Sequence, residues 1–360
     1  MKILFPLIGA LALINCTAAL AQEDELAGAA KPRYAVLPRT VVATPNAAAA
    51  LTALPTWNGS FVYQGTTYSY TMVGTAPSTN TATRITAVII PIKIVITKGT
   101  TTTTFDPATV LPNGKTVVTN TVASPLFDAT TSYIQGGTNL GTTQYIDAYQ
   151  RGNFWGSLPA NSKWHLTLGG PKVMAEKTFS PPASKGKTGK PFSSLTVAEV
   201  DINWFDARVQ SMITSMNLPA NVLPIFLTTN TYLTSGGCCI GGYHSAFTNT
   251  NGTVTYMHAS YITQPGDFAQ DVSAMSHEIG EWADDPLINN NVACGILENG
   301  DPEEGFTNYG GFPYTVNGFT YNLQDLVYLP YFGAPASTSV HGWLSFQGNP
   351  FSLTTCSNGG

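Results

Sequence analysis

The run Ser276-His277-Glu278-Ile279-Gly280-Glu281-Trp282 places one imidazole and two carboxylates within nearly two turns of a predicted helix. A helix advances about 100° per residue, so His277 and Glu281, four apart, share a face on which both can grip one cation. Glu278 projects to the side, where a water bound to that cation would sit. Phe268, Val272, Met275, Ile279 and Trp282 recur at the spacing of a single apolar stripe opposite His277 and Glu281. The pattern predicts a helix with one side on a core and the other carrying acid and imidazole.

Charge along the chain points the same way. The last basic residue is Arg208, and positions 209–360 hold eleven carboxylates, ten of them between Asp267 and Glu304. Buried carboxylates without cationic partners must protonate or find a cation, and a divalent metal supplies one. Asp267, Asp271, Glu303 and Glu304 are expected in water, where charge costs little. Glu278 and Glu281, beside His277 on a helix with an apolar back, are the ones expected to need the cation.

The elements that must hold this helix are mostly strands. Residues 60–72 alternate aromatic and polar side chains, and 84–97 are dense in β-branched residues. A short helix is expected within 143–155, a strand at 164–168, a glycine-, proline- and lysine-rich loop at 169–194 and a helix over 197–216. Strands at 222–232, 243–247 and 254–262 then lead into the His277 helix. Only 10% of residues are charged, against about 25% in typical globular chains. Threonine, glycine, asparagine and tyrosine supply the polarity, which suits an exported β-rich protein and excludes the basic footprint of a nucleic-acid binder.

Residues 1–21 read as an export signal, with Lys2, an apolar stretch over 3–14 and Ala19-Leu20-Ala21 before Gln22. The protein is therefore expected outside the cytoplasm, extracellular or periplasmic. No later run is apolar enough to span a membrane; 85–96 comes closest and is interrupted by Pro91 and Lys93. Residues 22–55, rich in alanine and proline, read as a leader or tether. Four cysteines remain after the signal, Cys238, Cys239, Cys294 and Cys356. They suggest two disulfides, the adjacent pair each bonding a different partner, Cys294 or Cys356.

Leu223-Pro224-Ile225-Phe226-Leu227, Cys239, Gly242-Tyr243-His244, Ser276-His277-Glu278-x-x-Glu281, Asp285-Pro286-Leu287 and Leu297-Glu298-x-Gly300-Asp301 follow one another in order. This segment resembles a family of exported bacterial proteins of zincin type, and Gln144-Tyr145-Ile146-Asp147-Ala148 and Arg151 resemble the pattern of that group as well. It is more distantly similar to the plant phosphate-induced, exordium-like secreted proteins. The helix motif is the zincin His-Glu-x-x-His with its last histidine replaced by Glu281. The resemblance implies an α+β fold, with a β-rich N-terminal part (56–190) followed by a zincin-like domain with a metal-site helix (191–360). The alternative is one compact unit over 56–360.

The resemblance further implies one divalent metal, Zn²⁺, with Ca²⁺ or Mn²⁺ as alternatives because Glu281 adds negative charge to the site. A catalytic zinc takes three protein ligands. His277 and Glu281 are two, and an acid downstream is the third: Glu298, with Asp301 as the ligand instead or as its hydrogen-bond partner. His244 is a further ligand candidate. Glu278 takes the role of general base, and Tyr243, His244 or Tyr256 that of donor to the oxyanion. The expected partner is a peptide or protein substrate. The competing expectation is a non-catalytic extracellular or cell-wall-associated binding protein. Its glycan contacts would come from Trp57, Tyr63, Tyr68, Tyr70, Tyr309, Phe312, Tyr314 and Tyr321. His258 reads equally as a further candidate or as a packed strand residue, and His165 and His341 read as structural or exposed.

Overall fold

Strands dominate the computed structural model, which describes residues 30–45, 53–293 and 295–348. The four α-helices among the described residues are α1 (Val117–Val122), α2 (Tyr145–Asn153), α3 (Ile202–Ser215) and α4 (Ser273–Asp284). The expected export signal and the cysteines Cys294 and Cys356 lie outside the described residues.

One eleven-stranded sheet organises the molecule. Its main path runs Gly186–Gly189, Val197–Asp201, Thr231–Thr234, Cys238–Asn249, Gly252–Tyr261, Val222–Thr229, Ala82–Lys98 and Thr101–Phe105. Val222–Thr229 is parallel to both of its neighbours, and its side chains are almost all buried, as expected of a strand covered on both faces. The path curls towards closure: Gly186, in the strand at one end, lies against Pro181 and Ile96, the latter in the strand next to the other end. Two apolar clusters fill the two sides of the sheet. One gathers α2 and α4, and the other gathers α3.

This architecture overturns the α+β expectation of a β-rich N-terminal part followed by a zincin-like domain. The chain is mostly β, and the strand Ala82–Lys98 from the first half is hydrogen-bonded to Val222–Thr229 from the second. A pairing across some 130 residues leaves no trace in local periodicity, so the two halves read separately when they build one sheet. The helix bearing His277 packs against that nearly closed sheet.

Local boundaries moved for identifiable reasons. Residues 197–216 do not form a single helix. Val197–Asp201 is a strand, and the Asp201 side chain then accepts a hydrogen bond from Trp204 N at 2.8 Å, capping α3. Asn230, with φ near 46°, breaks 222–232 into two strands. Within the expected leader, Arg33–Val41 is a strand running parallel to Cys238–Asn249. The sulfurs of Cys238 and Cys239 pair with each other and not with two separate partners. Of the aromatic residues considered for glycan contact, Trp57, Tyr63, Tyr68 and Tyr70 pack against a third apolar cluster, and Tyr321 is fully buried.

Candidate metal centre

Helix α4 is where the sequence places it, but its environment differs. All twelve of its residues are buried. Met275, Ile279 and Trp282 form its apolar side, whereas Phe268 and Val272 of the expected stripe precede the helix; Trp282 Nε1 donates to Thr255 Oγ1 at 2.8 Å. The acid face is not solvated, because the chain folds back over it. After Asp284 the helix cannot continue, since Pro286 lacks an N–H and disfavours helical geometry at Asp285. The Asp285 carboxylate accepts the backbone N–H groups of Asn289 and Asn290, reversing the chain. The segment from Glu298 to Glu303 then lies on the helix, tied by Gly300 N donating to Glu281 Oε1 at 2.9 Å. Gln324 holds it from above, donating to Gly300 O at 2.8 Å while its own N–H donates to Ser276 Oγ.

Strand Cys238–Asn249 closes the other side through a local irregularity. A step of two residues in the neighbouring strand, from Arg33 to Ala35, opposes a step of three here, from Ile240 to Tyr243. This bulge at Gly241 and Gly242 resets the alternation, so that Ile240 and Tyr243 share the α3 side while His244 turns towards α4. Tyr243 therefore departs from its expected role as oxyanion donor. Its hydroxyl donates to Asp206 at 2.9 Å on the far side of the sheet, and Tyr256, the other candidate, donates to the same carboxylate.

Two sets of side chains converge on Glu281. His277, Glu281 and Asp301 form one, and His244, Glu281 and Glu298 the other; within each set the donor atoms lie within 4.8 Å of one another. His277 Nε2 is 3.1 Å from Glu281 Oε2 and 3.4 Å from Asp301 Oδ1. His244 Nδ1 is 3.1 Å from Glu278 Oε2 and 3.7 Å from Glu281 Oε2. Glu298, favoured from the sequence as the third ligand to His277, is brought to His244 instead, and Asp301 reaches His277. His258 is buried with Nε2 at 2.9 Å from Thr228 Oγ1, His165 lies on Asp147, and His341 on Thr138.

Burial decides the electrostatics. His277, Glu278, Glu281 and His244 are shielded from water, and Asp301 nearly so. Burial alone would keep the His277 imidazole neutral. The carboxylates of Glu281, Asp301 and Glu278 outweigh it and raise His277 well above the ordinary histidine value. Burial tends to raise Glu281 as well, yet the His277 charge holds it below the usual range. Glu298 is raised well above its usual value by burial and then by Glu281 and Asp301, and Asp301 to about 6 by burial and then Glu281. Glu278 is also raised by burial, only partly offset by His277, and burial lowers His244 to about 4. The four acids expected in water fare differently from that expectation: Asp267, Asp271 and Glu303 are buried, and Glu304 is half-buried.

The fit to a cation shows in what these atoms lack. Nε2 of His277, Oε2 of Glu281, Oδ1 of Asp301 and Oε1 of Glu298 are buried, with no hydrogen-bond partner outside the two sets. Buried polar atoms normally have partners, and acid and imidazole groups positioned in this way could hold a metal ion. Imidazole and carboxylate together suit zinc better than calcium or magnesium, which favour all-oxygen sets.

Sequence reasoning missed Tyr34, whose ring stacks on His277 with centroids 3.7 Å apart. It also missed Gly300 and Gly242. A Cβ on Gly300 would lie 2.4 Å from His277 Nδ1, and one on Gly242 would lie 2.7 Å from Glu278 Oε1. The two glycines stand within quoted motifs and gave a signal; Tyr34 gave none. Compared with known proteins, the chain matches no family model, no curated protein and no solved structure. Among the described residues, no helix is long and apolar enough to cross a membrane.

Proposed function

We propose that this chain is an exported metal-dependent hydrolase acting on amide bonds of peptides, with zinc as its cation. The observation that carries the reading is the trio His277, Glu281 and Asp301, whose buried donor atoms converge within 4.8 Å of one another from a helix and a folded-back loop. His244 and Glu298 approach the shared Glu281 from the other side.

A cation held there supplies Lewis acidity towards a water and a substrate carbonyl. The remaining work falls to side chains of the protein. Glu278 has Oε2 on His244 Nδ1 and leaves Oε1 without a partner. It is the carboxylate placed to take the proton of the attacking water and return it to the leaving nitrogen. His244 holds that carboxylate in one orientation. Gln324 and the Gly300 amide fix the loop that delivers Asp301, and so set the spacing of the trio.

Metal analysis with three variants tests this. The parent should retain about one equivalent of zinc after dialysis, and His277→Ala should lose it. Glu278→Gln should keep the metal and lose hydrolysis of a mixed peptide library by about 10²–10⁴-fold. Asp301→Asn should weaken zinc binding by about tenfold or more. A parent that binds no metal would end the proposal. Metal bound by parent and Glu278→Gln, with no library member cut by either, would favour a non-catalytic metal-stabilised binding protein.

A further inference from the structure

Beside the centre lies a strand that contributes little to the core. Arg33–Val41 occupies the edge of Cys238–Asn249 from Ile240 to Thr248, the stretch that carries His244. Of its nine residues only Tyr34 is buried, and Val41 is 65% exposed. An edge strand with a mostly solvated face and few buried side chains belongs to the least stable part of a fold, where local opening costs least.

Its one buried side chain lands on the centre. The Tyr34 ring lies flat on His277, tilted by 28°, and the Tyr34 N–H donates to Glu304 Oε1. Lys31 N and O exchange hydrogen bonds with Cys238 O and Cys239 N, and Arg33 donates to Ser235 O at 2.6 Å. Residues 30–45 carry Lys31, Arg33 and Arg39 and no acid, whereas 209–360 carry eleven acids and no lysine or arginine. The strand is thus an extended segment paired to the Cys238–Asn249 edge through its backbone, with an aromatic ring over a candidate ligand.

We propose that the Ile240–Thr248 edge, together with the face of His277, is a binding site for an extended peptide bearing an aromatic side chain. Residues 33–41 of the chain fill it as an internal inhibitor. Backbone pairing along the edge gives affinity without regard to sequence, and the seat over His277 selects the ring. While Tyr34 is seated, neither solvent nor a substrate carbonyl has a path to the centre from that side. Opening of the strand exposes both the edge and the centre. This rests on the proposed metal centre.

The test uses the full chain loaded with zinc. Tyr34→Ala removes the ring, and Val36→Pro disrupts the paired strand opposite His244 while changing no side chain of the centre. Each should speed loss of zinc to a chelator, and hydrolysis of the library, by about tenfold or more. Tyr34→Phe should keep the parental rates. A synthetic peptide of residues 30–42 should slow both rates again in Val36→Pro, and the same peptide with alanine in place of Tyr34 should not. Folded variants that exchange zinc at the parental rate would overturn the inference, as would a peptide without effect. Loss of the fold in both variants would make the strand a structural member and overturn it too. Zinc held by all forms with no hydrolysis by any would end the proposed activity while zinc exchange still decides on the strand. Zinc held by none would end both.

Discussion

Two glycines show how closely the centre is built. Gly300 donates its N–H to Glu281 and brings its Cα so near His277 that any side chain would collide with the imidazole. Neither the imidazole nor the Gln324 amide on the other side can retreat without losing its own contacts. Gly300→Ala should therefore weaken zinc binding by about tenfold or more, because it moves a ligand by way of its neighbour. Competition with a chelator of known affinity measures this, and an unchanged dissociation constant would show that the loop does not position His277. The same residues show why part of the site was legible. Helical spacing fixes the relation of His277 to Glu281 in the sequence itself, whatever the surrounding fold. The choice between Glu298 and Asp301 depends on how a loop folds back, and three residues of separation place them in different sets. No periodicity encodes that turn.

At the scale of elements, strands with strong alternation were legible and those whose identity depends on a distant partner were not. Ala82–Lys98 and Gly252–Tyr261 appear close to where β-branched density predicts them. Arg33–Val41 has one buried residue in nine, so it carries no alternation to read and becomes a strand only through the edge it joins. The entry to α4 is a further case. Asp271, expected in water, is buried and accepts hydrogen bonds from Val272 N and from the backbone and side chain of Asn322 in the strand Phe319–Gln324. Burial nonetheless raises it to about 7. In the unfolded chain an aspartate titrates near ~4, so between about pH 4 and 7 the folded chain keeps a proton that the unfolded chain has lost. Stability from this group is thus present below the unfolded value and falls as pH rises through the folded one. Asp271→Asn cannot titrate, and asparagine tolerates the positive φ of 41° at this position. Relative to that variant, the parent should lose thermal stability between about pH 4.5 and 7.5. A difference between the two that stays constant with pH would show that Asp271 keeps its ordinary acidity.

For the whole molecule the governing fact is segregation of charge. Every lysine and arginine precedes residue 209, and the acids that follow are drawn under a nearly closed sheet and α4. Among the described residues, His277 and His244 are the basic side chains within the two sets; burial opposes charging both, and the carboxylates overcome it at His277. A divalent cation bound at the proposed centre would answer this imbalance for the fold as well as for any reaction, since the unfolded chain offers it no assembled site. Zinc at about 1,000 times its dissociation constant should then stabilise the protein by ~4 kcal/mol. Chelation should lower the thermal midpoint of the parent and leave that of His277→Ala unmoved. Calorimetry with and without the chelator measures both. Equal shifts would place the stabilising ion elsewhere in the molecule, and the absence of any shift in the parent would mean that the buried acids hold protons where the centre requires a metal.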